Sequence, residues 1–297
     1  MANICLSFIF NHQFEKNIPK LRKLYDDRFS TIRYLSPFSK STEPDIIPIF
    51  EKSIHFQGYF AQALRHLPRN CDYYVFCGDD LILNPSLNER NLIDCLNCNE
   101  SSYIKYLNPI WEHSFAWHKF EECNCFTENE YTIPYQNLLP SRNKLLKMYE
   151  NLGLYYRNLG FHNFKGLKEK IITTNRIKSG ISFFLKNRNK RFISYPLVEG
   201  YSDLIVVPQG HLELFCHYCG IFAAMNLWVD AAVATALILS ASKIKTEKDS
   251  NYSGTEYWNG EEIINRLKPI DNKLDNIGKL FKKDELYIHP IKLSSFN

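Results

Sequence analysis

Asp72-Tyr73-Tyr74-Val75-Phe76-Cys77-Gly78-Asp79-Asp80-Leu81-Ile82-Leu83-Asn84-Pro85 decides how the rest of the chain is read. Residues 73–77 are apolar or aromatic without interruption, the pattern of a buried strand. The run stops at two adjacent acids, and Asn84-Pro85 turns the chain. In an α/β sheet, ligands bind at the carboxyl ends of the strands. Two carboxylates held there make a hard-oxygen seat for Mg²⁺ or Mn²⁺, ions that usually arrive with a substrate's phosphates. The plain alternative is a strand that ends in a solvated acidic turn.

Upstream, residues 4–10 read as a first strand that ends at the polar Asn11-His12-Gln13. An amphipathic helix follows, with Phe14, Ile18, Leu21, Leu24 and Tyr25 on one face. Residues 31–35 and 46–50 are two further strands, and 55–67 a helix. This alternation predicts a mostly parallel sheet with crossover helices. Neither GxGxxG nor GxxxxGK[ST] occurs, which excludes a dinucleotide fingerprint and a P-loop.

Downstream, residues 87–95 are helix-like. Trp111, His113, Phe115, Trp117, His118 and Phe120 form an aromatic cluster, either a platform for an acceptor or core. Residues 141–156 predict a helix capped by Ser141. Residues 160–191 are basic, either a solvated helix face or a face turned to an anionic acceptor. A strand over 204–208 and a short helix over 211–218 come next. The apolar run 219–239 is long enough to suggest a membrane span. Asn226 and Asp230 interrupt it, so a short strand and a buried helix fit better. Residues 242–262 are polar and contain Gly254 and Gly260, which reads as a mobile loop able to act as a lid. A basic amphipathic helix over 261–281 and a last strand over 286–293 close the chain.

The 297 residues are 45% hydrophobic and 14% aromatic, which places the chain among globular domains. A net charge of +4 does not by itself argue for nucleic acid. It suits an anionic substrate or an acidic membrane surface. Nine cysteines, an odd number, do not look like a disulfide framework. Met1-Ala2-Asn3 leads straight into the first strand with no signal peptide, so the expected setting is reducing and cytoplasmic. Cys95, Cys98, Cys123 and Cys125 offer a zinc alternative, but the second pair's spacing is poor for it.

The strand running into Gly78-Asp79-Asp80, together with the closing His289-Pro290-Ile291-Lys292, resembles the GT-A nucleotide-sugar glycosyltransferases. The first stretch looks like that superfamily's DxD-type metal motif, here Gly-Asp-Asp. The second is similar to the terminal His and Lys with which many members hold metal and diphosphate. The resemblance implies an α/β fold of GT-A type: a Rossmann-like mixed sheet flanked by helices, with a C-terminal acceptor sub-lobe. It implies one domain over 1–297, with a nucleotide-binding half over 1–100 and an acceptor half over 101–297.

By the same resemblance, Asp80 and His289 would bind Mn²⁺ or Mg²⁺, and Asp79 would face the ribose or the sugar. Lys292 would meet the diphosphate, and Phe10, Asn11 and His12 the base or ribose. An inverting enzyme needs a carboxylate base for the acceptor hydroxyl. Asp230 is the expected one, with Asp203 and Glu213 behind it, and a helix cap is its plain alternative. The implied partners are a nucleotide-sugar donor, with UDP favoured, and a glycan or lipid-linked acceptor. No nucleic acid is implied, and the implied setting is cytoplasmic, with peripheral contact at the inner face of a membrane as an option. Rival readings are a metal-dependent nucleotidyltransferase, a carbohydrate-binding module without chemistry, and a polymerase palm. The last needs an upstream strand acid, whereas Asp26-Asp27 falls in or beside a helix.

Overall fold

The computed structural model describes residues 2–110, 138–155 and 195–296, and the backbone of 127–128 and 191–192. Its centre is a seven-stranded mixed sheet. The strands are Ile4–Ile9 (β1), Thr31–Pro37 (β2), Ile46–Ile49 (β3), Tyr73–Gly78 (β4), Ser102–Ile104 (β6), Leu204–Pro208 (β11) and Ile244–Lys245 (β12). The order across the sheet is β12-β6-β11-β4-β1-β2-β3. β3, β2, β1 and β4 run parallel. β11 is antiparallel to both of its neighbours, β4 and β6.

The chain winds from β1 outward to β3 and then returns to place β4 on the other side of β1. That reversal opens a crevice at the carboxyl ends of β1 and β4, where open α/β sheets bind ligands. Asn11 and His12 follow one of these strands and Asp79 and Asp80 the other.

Alternate side chains feed two cores. Tyr74, Phe76, Cys5, Ile9 and Ile205 face one side, and Tyr73, Val75, Cys77, Leu6 and Phe8 the other. Burial on both faces explains why β4 reads as a continuous apolar run. The first side is covered by helices Gln57–Ala63 (α2), Arg142–Asn151 (α4), Gln209–Ala224 (α5) and Val229–Ser240 (α6). Phe60, Phe76 and Phe215 interlock there, with ring centroids 4.6–6.3 Å apart. The other side carries Ile18–Tyr25 (α1), the short Leu92–Cys95 (α3), Gly260–Leu267 (α7) and a second sheet.

That second sheet joins Ile82–Leu83 (β5), Ser253–Glu256 (β13) and Glu285–His289 (β14) in the order β13-β14-β5. Two minor ladders complete the described strands. Asn108–Pro109 (β7) pairs with Val198–Glu199 (β10), and Thr127–Glu128 (β8) with Arg191–Phe192 (β9).

The predicted turn at Asn84 does more than reverse the chain. Its Oδ1 accepts the Ser86 N–H at 3.0 Å, an Asx turn. Its Nδ2 donates to the Glu285 carbonyl at 2.7 Å, which fastens β5 to β14. Ser141 caps α4 as expected, accepting from the Lys144 N–H at 3.4 Å.

Three expectations need correction. Residues 219–224 are not a strand: they continue α5, and the break falls at Asn226, whose φ is 54°. Residues 242–262 are not a free loop, since β12 and β13 lie within them. A Cβ at Gly254 would lie 2.0 Å from the Tyr287 ring, so β13 is wedged against β14. The helix over 261–281 is interrupted: α7 stops at Leu267, and Asp271 and Asn272 take positive φ. α6 is apolar all round because it is buried all round. Among the described residues no helix is long and apolar enough to cross a membrane. The aromatic cluster at 111–120, Cys123, Cys125 and the basic side chains of 160–191 lie outside the described residues.

Candidate functional site

β4 ends at Gly78, and the next two residues turn. The Asp79 N–H donates to the Ile9 carbonyl at 3.0 Å, tying this turn to the end of β1. β5 then leaves the turn and pairs with β14, with Ile82 opposite Ile288 and Leu83 opposite Tyr287. The Ile291 N–H donates to the Asp80 carbonyl at 2.6 Å. This register sets His289 against the acids: its Nε2 lies 3.3 Å from Asp80 Oδ1. Two stretches far apart in sequence meet at the crevice between β1 and β4.

β11 brings a third group. Because it runs antiparallel, its amino end lies at the carboxyl end of β4, and the Gly78 N–H donates to the Asp203 carbonyl at 2.9 Å. A Cβ at Gly78 would lie 3.2 Å from Asp80 Oδ1 and 3.7 Å from Asp203 Oδ1, so glycine leaves room for both carboxylates.

The crowding has an electrostatic cost. Burial, then the neighbouring Asp80 charge, pushes the Asp79 carboxyl up to about 7, against a pull from the Asn11 backbone N–H. Burial pushes Asp203 up to about 6; the His289 charge opposes the rise, while Asp80 and Asp230 add to it. For His289, burial alone would lower the imidazole. The hydrogen bond it donates to Asp80 and that group's charge, with Asp203 and Glu256, outweigh burial and raise it.

Asp230 does not cap α6. Trp228 holds the cap position without capping a helix N–H through its side chain, and Asp230 sits in the first turn. Its Oδ1 accepts from Ser202 Oγ at 2.6 Å and its Oδ2 from Trp228 Nε1 at 3.2 Å. Ser202 precedes Asp203, so the carboxylates of 203 and 230 belong to one neighbourhood.

The remaining expectations divide. Asn11 is half-buried and His12 exposed at the end of β1. The Phe10 ring is fully buried against Tyr34, 6.3 Å between centroids, so it is a core group and not a face for a base. Lys292 is exposed and makes no ion pair among the described residues. Glu213 lies on α5, which leaves the opposite edge of the sheet, where Pro208 pairs with Tyr73. It is therefore not a site residue. Cys98 is buried and Cys95 half-buried, both as free thiols.

Sequence reasoning missed the support under His289. Tyr201 meets the imidazole edge-on at 5.9 Å and stacks on Tyr287 at 5.9 Å, 6° from parallel. Lys105 lies 5.7 Å from both tyrosine rings and pairs with Glu256, which also accepts from the Tyr287 hydroxyl. The available signal was Tyr201-Ser202-Asp203 just before an apolar strand, but its meaning depends on the strand's direction.

The donors fit a divalent cation in part. Asp80 Oδ1 is buried, with the His289 nitrogen its one close partner among the described residues. No group of three or more ligating side chains is assembled among those residues. Among the described residues the crevice thus brings together one carboxylate, Asp80, and one imidazole, His289. No family model, no curated protein and no solved structure matches the chain.

Proposed function

We propose that the chain is a metal-dependent glycosyltransferase of GT-A type that moves a sugar from a nucleoside-diphosphate donor, UDP-linked by preference, to a glycan or lipid-linked acceptor hydroxyl. The observation that carries this reading is the meeting of Asp80 and His289 at 3.3 Å in the crevice between β1 and β4. Bound there, Mn²⁺ or Mg²⁺ would supply Lewis-acid stabilisation of the charge gathering on the leaving diphosphate.

The chain's own groups do the rest. Asp80 and His289 hold the cation side of the donor, and the exposed Lys292 meets a phosphate oxygen as negative charge develops. Asn11 and His12 border the base or ribose, and Asp79 faces the ribose or sugar. In an inverting transfer, the C1–O bond to the β-phosphate breaks as the acceptor oxygen bonds to C1. The acceptor proton passes to the Asp230 carboxylate, which Ser202 and Trp228 hold in place. The setting proposed is cytoplasmic, with an acceptor used in surface polysaccharide or glycolipid synthesis.

Titration calorimetry with UDP, with and without Mn²⁺, tests the reading. UDP should bind in a metal-dependent way, and Asp80→Ala and His289→Ala should each abolish that dependence. They should also cost transfer about 100-fold or more, the scale of losing one transition-state electrostatic partner. Wild-type transfer in both variants would overturn the assignment. Hydrolysis across a panel of nucleotide sugars identifies the donor.

A further inference from the structure

Most phenylalanines among the described residues are buried, Phe8, Phe10, Phe60 and Phe76 among them. Three are left out along one edge. Phe14 follows β1, Phe38 follows β2 and Phe50 follows β3, with exposures of 38%, 50% and 66%. The rings of Phe38 and Phe50 lie 6.1 Å apart, and Gln13 Nε2 reaches the Phe38 carbonyl at 3.4 Å. Ile54, also exposed, follows in the next turn. Phe38 adopts φ 54°, a conformation unfavourable for a bulky residue, with its ring turned outward. A contiguous apolar patch of this kind marks an interaction surface.

The charges around it are sorted by sign. Lys16, Lys40 and Lys52 are exposed and make no ion pair among the described residues. The acids of the same loops are engaged. Glu15 accepts from Ser36, Glu51 from the Lys52 N–H, and Glu43 and Asp45 from Arg22. Outward, the edge shows aromatic rings, three lysines without an ion pair among the described residues, and Glu43, which is tied to Arg22. Pairing with a second copy through a two-fold axis would set like patches, lysines included, face to face.

We propose that this edge docks on an anionic phospholipid bilayer. Phe14, Phe38, Phe50 and Ile54 enter the interface, and Lys16, Lys40 and Lys52 meet headgroup phosphates. Asp79 and Asp80 lie at the carboxyl end of β4, which runs parallel to β1 beside it, so a docked molecule turns its crevice toward the bilayer. A lipid-linked acceptor would then arrive from the surface on which the protein sits. That last step rests on the function proposed above, whereas the docking itself does not.

Cosedimentation with phosphatidylcholine vesicles, with and without phosphatidylglycerol, tests the docking. The chain should bind the anionic vesicles, release as salt rises, and ignore the neutral ones. Phe38→Ser with Phe50→Ser, and separately Lys40→Glu with Lys52→Glu, should each weaken binding about tenfold or more. Both pairs should leave UDP binding with Mn²⁺ at the wild-type level, which also certifies that they fold. Absence of wild-type binding, or unchanged binding by either pair, overturns the proposal. So does a shift from dimer to monomer on sedimentation of the aromatic variant, which would make the patch a contact between copies. Vesicle binding needs neither metal nor nucleotide, so its failure is separable from failure of the UDP titration.

Discussion

The two edges of the central sheet treat their acids in opposite ways. At the amino edge each carboxylate ends a strand quietly. Asp72 accepts the Asn3 N–H at 2.8 Å, and Glu89 accepts from the Ile4 N–H, the Ser30 N–H and the Ser30 hydroxyl at 3.0–3.1 Å. At the carboxyl edge Asp79, Asp80 and Asp203 crowd together, and burial drives two of them toward the protonated form. A cavity of about 410 Å³ lined by Asp72, Tyr73, Glu100 and His211 lies at the quiet edge. Perturbed carboxylates cluster at functional sites, so the crowded end is where the function proposed above places its chemistry.

Breaking the contrast at its strongest point means removing Asp230, the base proposed above. Asp230→Asn should lower the turnover of sugar transfer about 100-fold while UDP binding with Mn²⁺ holds. An equal loss of UDP binding would show Asp230 to be structural. At the other edge Glu89→Ala should cost about 1–2 kcal/mol of stability, from hydrogen bonds to a charged group, and leave turnover alone. A fall in turnover beyond the fall in folded protein would show that the edges are not independent.

The most graded prediction concerns pH. The native carboxyls of Asp79 and Asp203 titrate near 7 and 6, whereas unfolded aspartates titrate near 3.9. Between these values the native state holds more protons than the unfolded state, so metal-free stability should fall as pH rises from about 4 to 7. Mn²⁺ should offset that fall, raising the melting temperature more at pH 7.5 than at pH 5. An equal rise at both values would detach the carboxylates from the cation.

The parallel half was legible because its rules are local. The period of β1, β2 and β4, and the helices between them, could be read from residue order alone. Asp79 and Asp80 were visible because they end an apolar run, and His289 because it stands near the close of a strand-like segment. What stayed hidden depended on direction and pairing. Asp203 was named only as a second choice for the base: its place beside Asp79 and Asp80 follows from β11 running against β4, and nothing in Leu204–Pro208 states that direction. Lys105, Glu256, Tyr201 and Tyr287 come together through β14 and its neighbours, each unremarkable in its own stretch. Phe10 was expected beside the base or ribose through the resemblance alone, whereas its own apolar run already marks it as a core residue. Residues 219–224 looked like a strand because periodicity alone does not tell a short apolar run in a strand from one in a helix.

The pairing of β5 with β14 also sets when competence arrives. Roughly 200 residues separate Asp80 from His289, so this junction is among the most distant contacts in the chain and costly to close early. On a ribosome the acids emerge long before their partner does. Until β14 is synthesised and docked, a nascent chain holds its acidic turn without the imidazole that later faces it.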